Sequence, residues 1–490
     1  MNLELCKAFQ HTEYDAFVLP QIEGALHVPQ ALRDEQLTTA LEDGGFTGAA
    51  EQLRQLTFFA QGRVRNIILI GLGKEPTRAS ALYAASLAYR ACQELRCTSV
   101  LTDAAHLNQE LFGALCESAV LSGYCFDRYK TVPSPAGIKR ACFVCAEEAA
   151  FAPVLREARV LAEATLTARD LINEPPTVMT PARLAEDITA LMRDTGVRVT
   201  VYGEAQIELL GLTAFLEVAK GSLAEPKLIV MEYDGADAQS ARLGLIGKGL
   251  TYDSGGYSLQ SSPFMETMQH DMSGGAAVAA AVRAAAQLEL RVNVTAVIAA
   301  CENKLSATAY VPGDVIPSMS GRYIEINNTD AEGRVTLADA VTYLQKHHAV
   351  DRIVDIATLT DGIQTALGNR RAGLFSNDRA LADAVFRAGE RAAEPVWELP
   401  CDEHIRHVLD SRVAHLKNSA MGSDVGAYAT VGAMFIREFV EDKPWAHLDI
   451  GGVAWTREQE YYYTKGGVGF GARLLCRLMQ DFAEVSECKK

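Results

Sequence analysis

Along the C-terminal half of the chain one pattern recurs that leaves few folds open to it. Short, nearly continuous apolar runs alternate with stretches of helical spacing. The runs are Lys227-Leu-Ile-Val-Met231, Leu243-Gly-Leu-Ile-Gly247, Val292-Asn-Val-Thr-Ala-Val-Ile298, Arg352-Ile-Val-Asp-Ile356 and His447-Leu-Asp-Ile450. The helical stretches fall at 275–288, 336–347 and 379–392. A strand with one wet face alternates apolar and polar residues, whereas a run apolar throughout is a strand covered on both faces. The pattern therefore predicts an α/β domain with a doubly wound, largely parallel central sheet, in which sites collect at the carboxyl ends of the strands.

The N-terminal part carries the same alternation more weakly. Ala16-Phe-Val-Leu-Pro20, Arg65-Asn-Ile-Ile-Leu-Ile-Gly71, Ser99-Val-Leu101 and 141–146 read as strands, and 79–95 as an Ala-rich helix. These imply a smaller α/β domain. The stretch 151–171 reads as one long helix halted by the prolines of Asn173-Glu-Pro-Pro176, and Thr180-Pro181 opens the next with a cap and an N1 proline. At 490 residues the chain exceeds a single core. The expected division is an N-terminal domain over 1–165, ending in a linker helix, and a C-terminal domain over 166–490.

Composition serves mainly to exclude. Lys and Arg number 46 against 62 Asp and Glu, a formal charge of −16 that speaks against an extended nucleic-acid surface. No stretch approaches the roughly 18 uncharged apolar residues of a membrane span. The first ten residues hold Glu4 and Lys7 and lack the apolar core of a signal peptide, so a cytoplasmic location is expected. The eleven cysteines are scattered, and the close pair Cys142 and Cys145 has no second ligand pair, which points to reduced, buried thiols.

Two segments carry the chemistry. Gly247-Lys-Gly-Leu-Thr-Tyr-Asp-Ser-Gly-Gly256 continues to His270-Asp271-Met272, and Asn328-Thr-Asp-Ala-Glu-Gly-Arg-Val335 follows the run Tyr323-Ile-Glu-Ile-Asn327. Each follows a strand-like run, so its polar residues are expected to emerge at a sheet edge. Two divalent cations about 3.5–4 Å apart need several carboxylates, and Asp253, Asp271, Asp330 and Glu332 offer four. In extended backbone Asp330 and Glu332 would share one face. Taken singly, each is equally well read as a cap or turn residue.

Together the segments closely resemble the signature of the leucyl aminopeptidase (cytosol aminopeptidase) family, whose hallmark Asn-Thr-Asp-Ala-Glu-Gly-Arg stands intact at positions 328–334. The likeness extends from Arg169-Asp-Leu-Ile-Asn-Glu-Pro-Pro176 through Asp355-Ile-Ala-Thr-Leu-Thr360, Gly373-Leu-Phe-Ser-Asn377 and Pro444-Trp-Ala-His-Leu-Asp449 to Gly469-Phe-Gly471. It implies that Lys248, Asp253, Asp271, Asp330 and Glu332 bind two divalent ions, zinc, manganese or magnesium. It also implies water attack on the first peptide carbonyl of substrates with a free N-terminus. Arg334 matches the family arginine that holds a bicarbonate acting as general base, the alternative being a salt bridge to a carboxylate. Met268, Thr358, Leu359, Asp361 and Gly451 fall at substrate positions, and the family likeness implies a homohexamer.

Three departures stand out. The family has a second active-site lysine twelve positions after the first, where this chain has Gln260. Losing one contact to a developing oxyanion costs about 3–4 kcal/mol, roughly 10²–10³ in rate, although an amide still donates a neutral hydrogen bond. Asp361 replaces the family's usual glycine after Thr-Leu-Thr, adding a negative charge beside the substrate. Lys304-Leu-Ser-Ala307 differs more mildly. Two readings follow: a metal-dependent aminopeptidase of altered rate or specificity, and a catalytically impaired relative that binds or assembles. Other chemistries lack their motifs: there is no Gly-x-Ser-x-Gly, no His-Glu-x-x-His and no phosphate loop. Gly71-Leu-Gly73 lacks a third glycine, and His404 and His407 lack a third ligand.

Overall fold

A computed structural model describes residues 1–9, 13–32, 45–60, 63–132, 134 and 137–487. The chain forms two compact units, Met1–Leu166 with Arg457–Lys465, and Thr167–Thr456 with Gly466–Lys490. In the first, Tyr461 and Tyr462 pack on the ring of Tyr83, and the Tyr461 hydroxyl donates to Glu51. Nothing in the sequence signals that this late segment joins the first unit.

The first unit is built on a six-stranded sheet: β1 (Asn2–Cys6), β2 (Ala16–Ile22), β3 (Leu53–Ala60), β4 (Arg63–Gly73), β5 (Ser99–Asp103) and β6 (Arg140–Val144). Their order is β1-β6-β5-β2-β4-β3, all pairs parallel except β3 with β4. From β2 the chain moves to one side, then crosses back to place β5 on the other, so the winding reverses between β2 and β5. The helices Arg78–Glu94 and Gln109–Ser122 begin at Thr77, in a capping box with Ser80, and at Asn108.

In the second unit the strands are β7 (Arg198–Tyr202), β8 (Lys227–Asp234), β9 (Arg242–Asp253), β10 (Asn293–Asn303), β11 (Val315–Pro317) and β12 (Tyr323–Glu325). They continue with β13 (Arg352–Ala357), β14 (Ala372–Ser376), β15 (Val396–Glu398), β16 (Leu416–Lys417) and β17 (Trp445–Asp449). Eight form the main sheet, β15-β14-β17-β13-β9-β10-β8-β7, with a parallel centre from β17 to β10. Strands β9, β10, β13 and β17 are almost wholly buried, as runs apolar on both faces require. This is the two-domain α/β architecture expected. The α-helix Ser273–Gln287, rich in Gly and Ala, packs so closely on β9 that a Cβ at Gly247 would lie 2.6 Å from the Cα of Gly275.

Two local expectations fail. Strand β9 does not end at Gly247 but runs to Asp253, pairing Lys248 with Ala299 and Asp253 with Asn303 of β10. The polar side chains are tolerated because neighbouring elements supply their partners. Asp330 and Glu332 do not lie in extended backbone. Asp330 sits in a turn and Glu332 opens the helix Glu332–His347, where an acid suits the positive end of the helix dipole.

Candidate active site

The carboxyl ends of β9, β13 and β17 converge on a cavity of about 400 Å³. Every residue expected to bind metal, anion or substrate lines it: Lys248, Asp253, Gln260, Met268, Asp271, Asp330, Glu332, Arg334, Thr358, Leu359, Asp361 and Gly451, whereas the departure at 304–307 lies outside its lining. Strand β9 carries Lys248 and Asp253, the short 3-10 turn Met268–Met272 carries Asp271, and the first turn of Glu332–His347 carries Glu332 and Arg334.

Lys248 lies at the centre, buried. Its Nζ is 2.8 Å from Asp271 Oδ2, 2.8 Å from Glu332 Oε1, and donates to the Thr358 carbonyl at 2.9 Å. Gly333 makes the passage possible, since a Cβ there would come within 2.6 Å of Nζ. Asp253 Oδ1 accepts from Asn303 Nδ2 and from the Gly255 amide, both at 2.8 Å. Gly255 adopts φ 84°, and a Cβ there would meet Asp330 Oδ1 at 2.6 Å. Asp271 Oδ1 accepts from the Thr358 hydroxyl at 2.7 Å.

Gln260 bridges two of the acids. Its Nε2 donates to Asp253 Oδ2 at 2.8 Å and to Asp330 Oδ1 at 2.6 Å, while its Oε1 has no partner among the described residues. Arg334 is buried, with one amino group donating to the Asn418 carbonyl at 3.0 Å and its Nε unpaired among the described residues. It forms no salt bridge to a neighbouring carboxylate among the described residues.

Four carboxylates face one ammonium here. Burial opposes the Lys248 charge, but Asp271, Glu332 and Asp253 outweigh it and raise its pKa. Burial, then repulsion from the other acids, raises Asp253. Burial lifts Asp271 to about 6 against the pull of Lys248, and burial with Glu332 lifts Asp330 to about 7. Burial brings Arg334 down to about 10. Fully ionised, the four acids would carry more negative charge than Lys248 and Arg334 neutralise, and the raised pKa values of Asp253, Asp271 and Asp330 express that strain. Asp253, Asp330 and Glu332 each present an oxygen within 4.8 Å of the others, and Glu332 Oε2 is buried without a hydrogen bond among the described residues. A donor set of hard oxygens with surplus charge fits divalent cations.

These motifs and this cavity coincide with a family-wide match. The model of the cytosol aminopeptidase family catalytic domain matches residues 166–476, and that of its N-terminal domain matches 20–133. The chain belongs to the cytosol aminopeptidase family. It is accordingly an enzyme of the metal-dependent aminopeptidase kind, in a family that uses a dinuclear metal centre. A "probable cytosol aminopeptidase" of Clostridium tetani is 41% identical over 425 residues, covering 85% of this chain and 88% of that protein. One from Clostridium perfringens is 38% identical over 487 residues, covering 97% and 98%. Among solved structures, the bottromycin maturation enzyme BotP in complex with Mn superposes with a TM-score of 0.85 at 32% identity, covering 96% of this chain and 99% of that one.

Several cavity residues escaped the sequence reading. Met421 and Tyr428 line it, as do His270 and Asn328 of the two motif segments, to which no role was assigned, and Asn303 and Asn418 hold its walls. Asp449, the last residue of β17, accepts from the Leu359 amide at 3.2 Å, the Thr360 hydroxyl at 2.7 Å and the Gly451 amide at 3.1 Å. It thereby fixes the loop Leu359–Thr360 against Gly451. Its place at the end of a strand-like motif was a usable signal, whereas nothing local marks Met421 or Tyr428.

Proposed function

We propose that Lys248, Asp253, Asp271, Asp330 and Glu332 hold two divalent ions, and that the chain removes N-terminal amino acids from peptides. The observation that carries this reading is the convergence of four carboxylates on one buried lysine in one cavity, with Glu332 Oε2 left open. Two bound ions would lower the pKa of a water and stabilise charge on the peptide carbonyl oxygen. Lys248 must shed its proton to act as a ligand, and nearby dications would favour that. Manganese is the first metal to try, given the complex solved for BotP; zinc and magnesium are the alternatives.

Arg334 faces the cavity held by Asn418, with donors left over for an anion, and bicarbonate suits its planar fork. Asp449 presents the Thr358–Thr360 backbone to substrate. Gln260 positions Asp253 and Asp330 with both of its N–H groups and brings no charge where the family has one, so turnover is slower than a lysine would give. Asp361 is exposed at the cavity wall and favours substrates with an added positive group. A cytosolic location and a homohexamer follow by family analogy alone; sedimentation as a monomer at micromolar concentration would remove the hexamer. No helix among the described residues is long and apolar enough to cross a membrane.

The reading is tested by hydrolysis of a leucyl chromogenic amide by chelator-stripped protein with and without added manganese or zinc. Metal-restored turnover supports it. Silence on a broad peptide panel, with metal bound, would favour a binding or assembly role.

A further inference from the structure

The first unit brings together a second set of ligand-type side chains. We propose that His27, Asp103 and His106 form a site for one first-row transition-metal ion, with zinc the best match, at the switch point of the N-terminal sheet. None of these three side chains lines the carboxylate cavity.

Topology places the site. Strands β2 and β5 are parallel neighbours, Val18 opposite Thr102, and the winding of the sheet reverses between them. A crevice opens beyond the carboxyl ends of two such strands, and ligands bind there in doubly wound sheets. The chain leaving β2 delivers His27, and β5 ends at Asp103, with His106 three residues on.

Local contacts then fix the groups. The buried Gln21 clamps the His27 backbone: its Nε2 donates to the His27 carbonyl at 2.8 Å, and its Oε1 accepts the His27 amide at 2.6 Å. Asp103 is buried, and its Oδ2 lies 3.4 Å from His27 Nε2. Ligand bonds of about 2.0–2.1 Å in a tetrahedron set neighbouring donor atoms about 3.3 Å apart. One donor atom from each of the three residues lies within 4.8 Å of the others. The imidazoles of His27 and His106 stack at 4.9 Å and 28°, and a modest turn of the rings closes the longer separations.

A simple ion pair of His27 with Asp103 leaves one observation unexplained. Both ring nitrogens of His106 are buried without a hydrogen-bond partner among the described residues. Buried imidazole nitrogens are normally satisfied. The contact of this ring with the Pro20 carbonyl falls short of hydrogen-bond geometry. Two imidazoles and one carboxylate suit zinc rather than magnesium or calcium, which prefer oxygen alone. The side chain of His27 is 40% exposed, leaving room for water as a fourth ligand. A bound ion would clip the ends of β2 and β5 together.

The test uses the full chain, stripped with chelator, loaded with zinc and desalted. Zinc per chain is measured by atomic emission for wild type, His106→Ala and His27→Gln. Each variant is expected to hold one ion fewer per chain while hydrolysing the leucyl amide as wild type does. In an Asp330→Asn/Glu332→Gln background, X-ray absorption of the remaining zinc is expected to show imidazole scattering that His106→Ala abolishes. Should His106→Ala not fold, His27→Gln, at the more exposed ligand, carries the count. Zinc content unchanged by both histidine substitutions, or remaining zinc without imidazole scattering, would overturn the site. Failure of the carboxylate reading would show separately, as undiminished zinc in the Asp330→Asn/Glu332→Gln protein.

Discussion

Two buried charge clusters in the second unit make opposite use of the same chemistry. Glu394 and Arg473 are each almost fully buried, and they pair at 3.3 Å. Glu394 also accepts the amides of Gly471 at 3.0 Å and Leu474 at 2.9 Å. Charge balances charge, and the carboxylate oxygens are occupied. Around Lys248, by contrast, four acids share one ammonium and Glu332 Oε2 is empty among the described residues. A satisfied buried pair stabilises an arrangement once formed, because breaking it strands a charge. A surplus destabilises the bare protein and is retained where a further cation is to bind. Balance marks structure, and imbalance marks function.

The largest effect is expected at Glu332. Glu332→Gln is expected to lower leucyl amide turnover roughly 10³-fold or more, the several kcal/mol that a metal-stabilised transition state stands to lose. The same change should leave the metal-free protein within about 1 kcal/mol of wild type or more stable, since it relieves repulsion. Denaturant titration of the chelated proteins checks the second half. Glu394→Gln should do the reverse, costing about 3–5 kcal/mol of stability by removing the buried carboxylate charge that faces Arg473, with kcat per folded molecule unchanged.

Gln260→Lys sharpens the contrast by adding a positive charge to the surplus. It should raise kcat on leucyl amide by about 10–10², with KM changing less, as expected for a contact made mainly in the transition state. Unchanged kcat would assign Gln260 to positioning Asp253 and Asp330 alone.

A third buried group tests the balanced side by pH. His447 Nδ1 lies 2.5 Å from Asp355 Oδ1, and the Trp445 indole donates to Asp355 Oδ2 at 2.6 Å. Burial opposes the imidazolium, but Asp355 outweighs it and raises the His447 pKa above its ordinary value. A raised histidine pKa contributes stability that is full below the ordinary value of about 6.5 and is lost as pH rises through the folded-state value. The stability difference between wild type and His447→Gln should therefore shrink from pH 6 to pH 9. A constant difference would mean the ring is neutral throughout. The smallest effect is expected at the cavity wall. Asp361→Gly should reduce preference for lysyl and arginyl over leucyl amides by about tenfold or less, a modest sum for one partly exposed charge.

How much of this was legible beforehand depended on whether a residue's partners were local. The apolar runs at 227–231, 292–298 and 352–356 all became strands, because burial on both faces writes itself directly into composition. The continuation of β9 through Lys248 to Asp253 was hidden, since its polar residues are tolerated only by partners from Thr358, Asn303 and Glu332, far away in sequence. The motif at 328–334 identified Asp330 and Glu332 but not the turn-then-helix backbone that aims them. Met421, Tyr428 and Asn418 reach the cavity from a segment with no periodic or motif signal. His27 and His106 had none either, because only the strand order of the N-terminal sheet brings them together.

Anomalous diffraction from crystals of the chain soaked in manganese tests the dinuclear metal centre most directly. Two peaks are expected in the carboxylate cavity, about 3.5–4 Å apart, within bonding distance of Lys248, Asp253, Asp271, Asp330 and Glu332. A cavity without peaks at saturating manganese, with Lys248 still paired to Asp271 and Glu332, would contradict the dinuclear centre.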